Sequence, residues 1–183
     1  MIDRRAFVLA AACAGPVLAA PVLAQTVDPN LVYLDTKDGR VTIRLQPDLA
    51  PHHVQQIKTL VKQGFYNGLL FHRVIAGFMA QTGDPTGTGS GGSSLPNLKA
   101  EFTKTPFKRG TIGMARTSDP DSANSQFFIC FGDASFLNGQ YTVVGEVVSG
   151  MDVVDKIKKG DPQSGAVSNP DKIVRMQLAS DAK

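Results

Sequence analysis

From Leu31 onward the chain keeps returning to short apolar stretches closed off by glycine, proline, aspartate or asparagine, and this rhythm limits the folds open to it. Val41, Ile43 and Leu45 alternate with Thr42, Arg44 and Gln46, the period-two pattern of a strand with one wet face. Leu31 to Thr36 lies just before, and Asp38-Gly39 between the two reads as a hairpin turn. Further strands are predicted at Leu70 to Ile75, Phe78 to Thr82, Thr111 to Ala115, Gln126 to Phe131, Tyr141 to Val148 and Lys172 to Leu178, about eight in all. Two segments switch to helical spacing. Val54, Ile57, Leu60 and Val61 follow Pro51, which suits a first helical turn, and precede Gly64, which suits a stop. Met151, Val153, Val154 and Ile157 form the second, with Lys156, Lys158 and Lys159 predicted in its last turn against the helix dipole and Gly160 after it. Many short strands with two helices predict a closed or sandwiched β structure. A barrel would remove exposed sheet edges, and two amphipathic helices could plug its open ends.

The first stretch stands apart from this pattern. Arg4 and Arg5 open it, an apolar run follows from Ala6 to Ala24, and Val22-Leu23-Ala24 precedes a cut expected before Gln25. That is the layout of a secretory signal peptide. Its core is rich in alanine and contains Gly15, Pro16 and Pro21, so it is a poor membrane anchor. Asp3-Arg4-Arg5-Ala6-Phe7-Val8 also resembles a twin-arginine export signal. The expected organisation is a cleaved signal at 1–24 and one domain at 25–183, in a periplasmic protein. The mature part then keeps a single cysteine, Cys130, among Phe127, Phe128, Ile129 and Phe131, so no internal disulfide can form and Cys130 is expected to pack. With 42% hydrophobic residues the domain can build a core without one.

Several functions are excluded. A net charge of +3 is spread along the chain with no basic stripe, so no nucleic-acid partner is expected. Gly87-Thr88-Gly89-Ser90-Gly91-Gly92 has the letters of a dinucleotide fingerprint. But Ser93-Ser94-Leu95-Pro96-Asn97 blocks any following helix, and the stretch reads as a flexible surface loop. His52 and His53 are neighbours on a helix and cannot converge, and His72 has no serine or cysteine partner by spacing, so neither a metal site nor a hydrolase triad is expected. No cofactor is implied, and nothing asks for an oligomer, so a monomer is expected.

What remains is a concentration of arginine, glutamine and large apolar groups. Arg73 and Gln81 flank a Gly77 turn, strand pleat puts Met79 and Gln81 on one face, and Gln126 and Phe128 share a face of another strand. Phe71 and Phe127 are assigned to the core. The runs Phe-His-Arg-Val-Ile-Ala-Gly-Phe-Met-Ala-Gln (71 to 81), Gly-Thr-Ile-Gly-Met-Ala-Arg (110 to 116) and Ser-Gln-Phe-Phe-Ile (125 to 129) resemble the signature blocks of cyclophilins. Val143 to Val148 and Gly150 to Val154 are similar to that family as well, and the resemblance runs from about Leu31 to Leu178. The Met114-Ala115-Arg116-Thr117 variant looks like the bacterial branch.

The resemblance implies a mainly β fold, a closed eight-stranded antiparallel β-barrel capped by two α-helices, with the active groove on its outer surface. It implies a peptidyl-prolyl cis-trans isomerase acting on proline-containing polypeptides. Arg73 would be the catalytic cation. Phe78, Met79, Phe128 and Leu137 would form the proline pocket, and Gln81, Ala115, Arg116 and Gln126 would contact the substrate backbone, Arg116 mainly through its own main chain. Phe136 and Tyr141, in the shell of the pocket, stand where the family often has tryptophan and histidine. Without the indole N–H, cyclosporin binding is expected to be weak. The alternative is a module that grips proline-containing segments, as a chaperone would, without significant catalysis.

Overall fold

The computed structural model describes residues 28–182, so the expected export signal, its cut site and the boundary at Gln25 lie outside the described residues. Within them, eight strands form one antiparallel sheet: β1 (Leu31–Thr36), β2 (Gly39–Leu45), β3 (Arg73–Ile75), β4 (Met79–Thr82), β5 (Thr111–Met114), β6 (Phe127–Cys130), β7 (Val143–Ser149) and β8 (Arg175–Leu178). Their spatial order is β3-β4-β6-β5-β7-β2-β1-β8. Each predicted strand is present, shortened by a few residues at some ends.

The sheet curls until its two end strands approach one another. They share no ladder of their own. The seam is closed by the bridges Leu70↔Lys172 and Arg73↔Ala166 and by hydrogen bonds from Gly68 N to Ile173 O (2.7 Å) and Ile173 N to Leu69 O (2.9 Å). Short connections thus satisfy backbone groups that would otherwise form two bare edges.

The inward faces follow the period-two reading. Val32 and Leu34 on β1, and Val41, Ile43 and Leu45 on β2, are buried in the main core. Each such side chain contributes about 1.5–3 kcal/mol by leaving water. Phe71 and Phe127 join the same core, as expected.

Helix α1 (Pro51–Lys62) sends Val54, Ile57, Leu60 and Val61 into it. Its N-cap, Ala50, has no side-chain acceptor. Glu101 substitutes from a distant loop: its carboxylate accepts from His52 N (3.2 Å), His53 N (3.1 Å) and His53 Nδ1 (2.6 Å). A negative group at this end complements the helix dipole. Gly64, at φ 69°, turns the chain away after the helix.

Helix α2 (Met151–Lys156) is shorter than its lysine run suggested. Lys158 and Lys159 lie beyond it, because Ile157 leaves the helical region (ψ 128°) and is buried in the main core. Burial of Ile157 wins over another turn of helix. Lys159 still serves the helix end, donating from Nζ to Asp155 O (2.6 Å) and Ile157 O (2.8 Å). Among the described residues, no helix is long and apolar enough to cross a membrane.

Candidate active site

The site is built on the outer faces of β4, β5 and β6. Register sets it: Met79 pairs with Cys130, Gln81 with Phe128, and Phe128 with Gly113. Strand alternation then sends Met79, Phe128 and Cys130 away from the main core into a second apolar cluster with Phe107, Ala134, Leu137 and Val143. Phe107 stacks against Phe128 with ring centres 5.8 Å apart. Gly113 makes this possible, since a Cβ there would fall 2.5 Å from the Phe107 ring and 2.6 Å from the Phe128 ring.

On this cluster sits a cavity of about 250 Å³. Its apolar surface comes from Phe78, Met79, Phe128 and Leu137, with Phe136 and Tyr141 at the wall. Its polar edge comes from Arg73, Gln81, Ala115 and Arg116. Residues far apart in the chain therefore meet in one place. Gln126 is not part of this cavity. It lines a neighbouring one of about 450 Å³, with Gly89 to Ser93, Asn97, Thr117, Ser122 and Asn124, and the two share Gln81, Ala115 and Arg116 as a common wall.

Arg73 stands opposite Gln81 in the β3–β4 pair. It donates from Nη1 to Gln81 Oε1 (3.3 Å) and from Nε to the carbonyl of Ser164 (3.1 Å). A guanidinium has five N–H donors, so three remain for a ligand. Gln81 in turn donates to Gln126 Oε1 (2.8 Å), whose amide donates to Gly89 O (3.0 Å) and Gly91 O (2.8 Å).

The Arg116 side chain does more than the main-chain role assigned to it. Its guanidinium lies 4.4 Å over the Tyr141 ring and donates twice to Gln140 O, at 3.2 and 2.9 Å. Phe136 is 63% exposed, with its ring centre 5.2 Å from that of Phe78. Phe136 thus leaves most of its ring open to solvent beside the cavity.

Chemically, the cavity can hold a small apolar ring and aim a charge-assisted donor at its edge. It offers no activated nucleophile. Cys130 lies beneath it, fully buried, and burial pushes its thiol up to about 12. Among the described residues, no cluster of three or more histidine, cysteine or acidic side chains is placed to hold a metal. His72 is buried beneath Gly89, and burial lowers its pKa. His53 faces Glu101, not a ligand.

Sequence reasoning missed Phe107, the Ser164 carbonyl and Asp84. Phe107 lies in a loop with no periodicity to mark it, and a carbonyl contact leaves no residue-type signal. Asp84 is 1% exposed and organises the glycine-rich stretch that had read as a flexible surface loop. The one signal in the sequence was an aspartate set between Gly83 and Pro85 at the start of the glycine-rich stretch.

Comparison with known proteins agrees with this geometry. Residues 31–178 match the family described as cyclophilin type peptidyl-prolyl cis-trans isomerase. A probable peptidyl-prolyl cis-trans isomerase of Brucella suis is 56% identical over 98% of both chains. A peptidyl-prolyl cis-trans isomerase of Helicobacter pylori is 46% identical over 75% of this chain and 86% of its own. A cyclophilin structure from Hirschia baltica superposes with a TM-score of 0.77 at 31% identity, covering 86% of this chain and 77% of that one. A Cryptosporidium parvum cyclophilin-type isomerase, solved in the presence of the dipeptide Ala-Pro, gives 0.75 at 28% identity, covering 82% of this chain and 99% of that one.

Proposed function

This chain belongs to the cyclophilin-type peptidyl-prolyl cis-trans isomerases, and on that premise we propose that Arg73 is its catalytic side chain and that it assists the folding of exported proteins. The observation that carries the first part is Arg73, anchored by Gln81 and Ser164 at the rim of an apolar cavity with donors to spare.

Rotation about an X–Pro bond faces a barrier of about 18–20 kcal/mol, set by amide resonance. No bond is broken, so the enzyme need only hold the proline ring and favour the twisted amide over the planar one. Phe78, Met79, Phe128 and Leu137 supply a surface for the ring. As the amide twists, the imide nitrogen regains a lone pair. The free N–H groups of Arg73 can donate to it or to the prolyl carbonyl oxygen. Each 1.4 kcal/mol gained there is about tenfold in rate. Lysine lacks the fixed planar donors that can bind Gln81, Ser164 and substrate together. Gln81, Ala115, Arg116 and Gln126 run beside the cavity, where an extended substrate backbone would lie. The same reading gives the Ala-Pro dipeptide of the Cryptosporidium relative a counterpart here in proline-containing polypeptides.

The second part rests on residues 1–24, whose arginine pair, alanine-rich core and small or apolar residues before Gln25 have the layout of an export signal. The working place is then the periplasm, as a monomer. Phe136 in place of tryptophan supports weak cyclosporin binding.

Exchange NMR on an X–Pro peptide tests the activity. Catalytic amounts are expected to collapse the separate cis and trans resonances. Binding without faster exchange would instead describe a module that grips proline-containing segments. Mass spectrometry of the mature protein from the producing cells tests export: a first residue of Gln25 supports it, and an intact Met1 contradicts it.

A further inference from the structure

The glycine-rich loop is tied to Arg73 by a directed chain of hydrogen bonds. Its origin is Asp84, a buried carboxylate that accepts from Thr86 N (2.7 Å), Thr86 Oγ1 (2.8 Å) and Gly89 N (2.6 Å). Gly91 passes so close that a Cβ there would overlap the Asp84 carboxylate. Asp84 thereby sets the path of Gly89 to Gly91, and two carbonyls of that stretch meet one side chain, Gln126.

The chemistry at the two ends leaves the chain one polarity. Carbonyl oxygens accept and cannot donate, so Gly89 O and Gly91 O require the NH₂ end of the Gln126 amide. That leaves the Gln126 oxygen facing Gln81, which must answer with its own NH₂ (2.8 Å). The Gln81 oxygen is then left for Arg73, which can only donate (3.3 Å). Reversing either amide would set donor against donor or acceptor against acceptor at a neighbour and leave a half-buried polar group unpaired.

We propose that Asp84 is a positioning residue for the isomerase reaction, acting through the Gly89–Gly91 carbonyls and the Gln126–Gln81 amide pair to hold the Arg73 guanidinium toward the proline cavity. The stretch that spells a dinucleotide fingerprint is, on this reading, the fixed end of the catalytic cation's support. The Asp84 carboxylate keeps its charge far into acid. Burial alone would raise its pKa, but donors from Thr86, Gly91 and Gly89 hold it at about 2. The proposal rests on Arg73 being the catalytic side chain.

A double-mutant cycle tests it. Asp84→Asn keeps the shape but turns an NH₂ toward Thr86 or Gly89, and is expected to lower kcat about three- to tenfold with KM within about twofold, because the site survives while its cation wanders. In an Arg73→Ala background the same substitution is expected to cost nothing further. The Arg73 Nε–H resonance is expected to shift and broaden in Asp84→Asn, a signature that does not depend on activity. Thr86→Val removes one donor to Asp84 at an exposed position and is expected to give the same changes at smaller amplitude, covering the case in which Asp84→Asn does not fold. Unchanged kcat with an unmoved Arg73 resonance in the folded variant overturns the proposal. So does an equal loss with and without Arg73. If Arg73→Ala alone keeps full activity while the Arg73 resonance still responds to Asp84, the catalytic assignment fails and the hydrogen-bond chain stands.

Discussion

Strand β6 serves two interiors at once. Phe127 and Ile129 face the main core, while Phe128 and Cys130 face the outer cluster beneath the apolar cavity. All four are buried, yet the two sides differ in how they end. The inner side is closed by the curled sheet and α1, with a gap of about 10 Å³ left among side chains such as Ile43, Ile57 and Phe127. The outer side is covered only in part: Phe128 and Leu137 come to the cavity surface, and Phe136 stands 63% exposed. A core closed all round stabilises the fold. A core closed on three sides leaves a shaped apolar surface for a ligand to finish. The two faces should therefore respond to substitution in different currencies, stability on one and catalysis on the other.

The largest effect is expected on the inner side. Ile129→Ala should lower the unfolding free energy by about 2–5 kcal/mol, as cavity-forming substitutions do, measured by urea denaturation. Activity per folded molecule should change by less than about twofold, well under 1 kcal/mol in barrier terms. A large loss of activity in the folded variant would break the division. Next comes Gly113→Ala, which pushes a methyl between Phe107 and Phe128. It should cost about 1–3 kcal/mol of stability by overpacking and, unlike Ile129→Ala, lower kcat/KM about tenfold by displacing Phe128. Stability lost without activity would place the outer cluster with the ordinary core.

Acid probes the loop beside the cavity. Asp84 has a folded pKa of about 2 against an ordinary 3.8, so its contribution to stability is fully present above about pH 4 and fades as pH falls toward 2. The loss should be at most about 2 kcal/mol and should vanish from the pH profile of Asp84→Asn. The smallest effect is expected at the open wall. Phe136→Trp restores an indole donor at an exposed position and should leave kcat/KM within about twofold. Cyclosporin affinity should tighten by up to about tenfold, the worth of one hydrogen bond, measured by calorimetry.

These contrasts also mark what could be read from residues alone. Alternation along Val41 to Leu45 announced the inner face because each strand there has one wet and one buried side. On β6 both sides are buried, so period two is invisible in Phe127 to Cys130. The role proposed for Phe128 was available only through the resemblance to cyclophilins. Gln126 and Phe128 both meet Gln81 on the outer face, as their spacing predicts, but they line adjoining cavities that share Gln81. The extent of α2 was misjudged because lysines after Val154 suit a helix end, whereas Ile157 gains more from the core. The glycine-rich stretch is a surface loop, as read, but what sets its path is one buried carboxylate, Asp84, and burial of a polar side chain is not written in composition.

The central claim is that a guanidinium beside an apolar cavity carries the rate enhancement while the cavity carries binding. Exchange NMR of Arg73→Ala with an X–Pro peptide measures both in one sample. The account predicts peptide shift changes and a dissociation constant within about threefold of the parent, an unchanged melting temperature, and an exchange rate lower by about 100-fold, close to 3 kcal/mol of barrier. Parent-like exchange in a folded Arg73→Ala protein would contradict it.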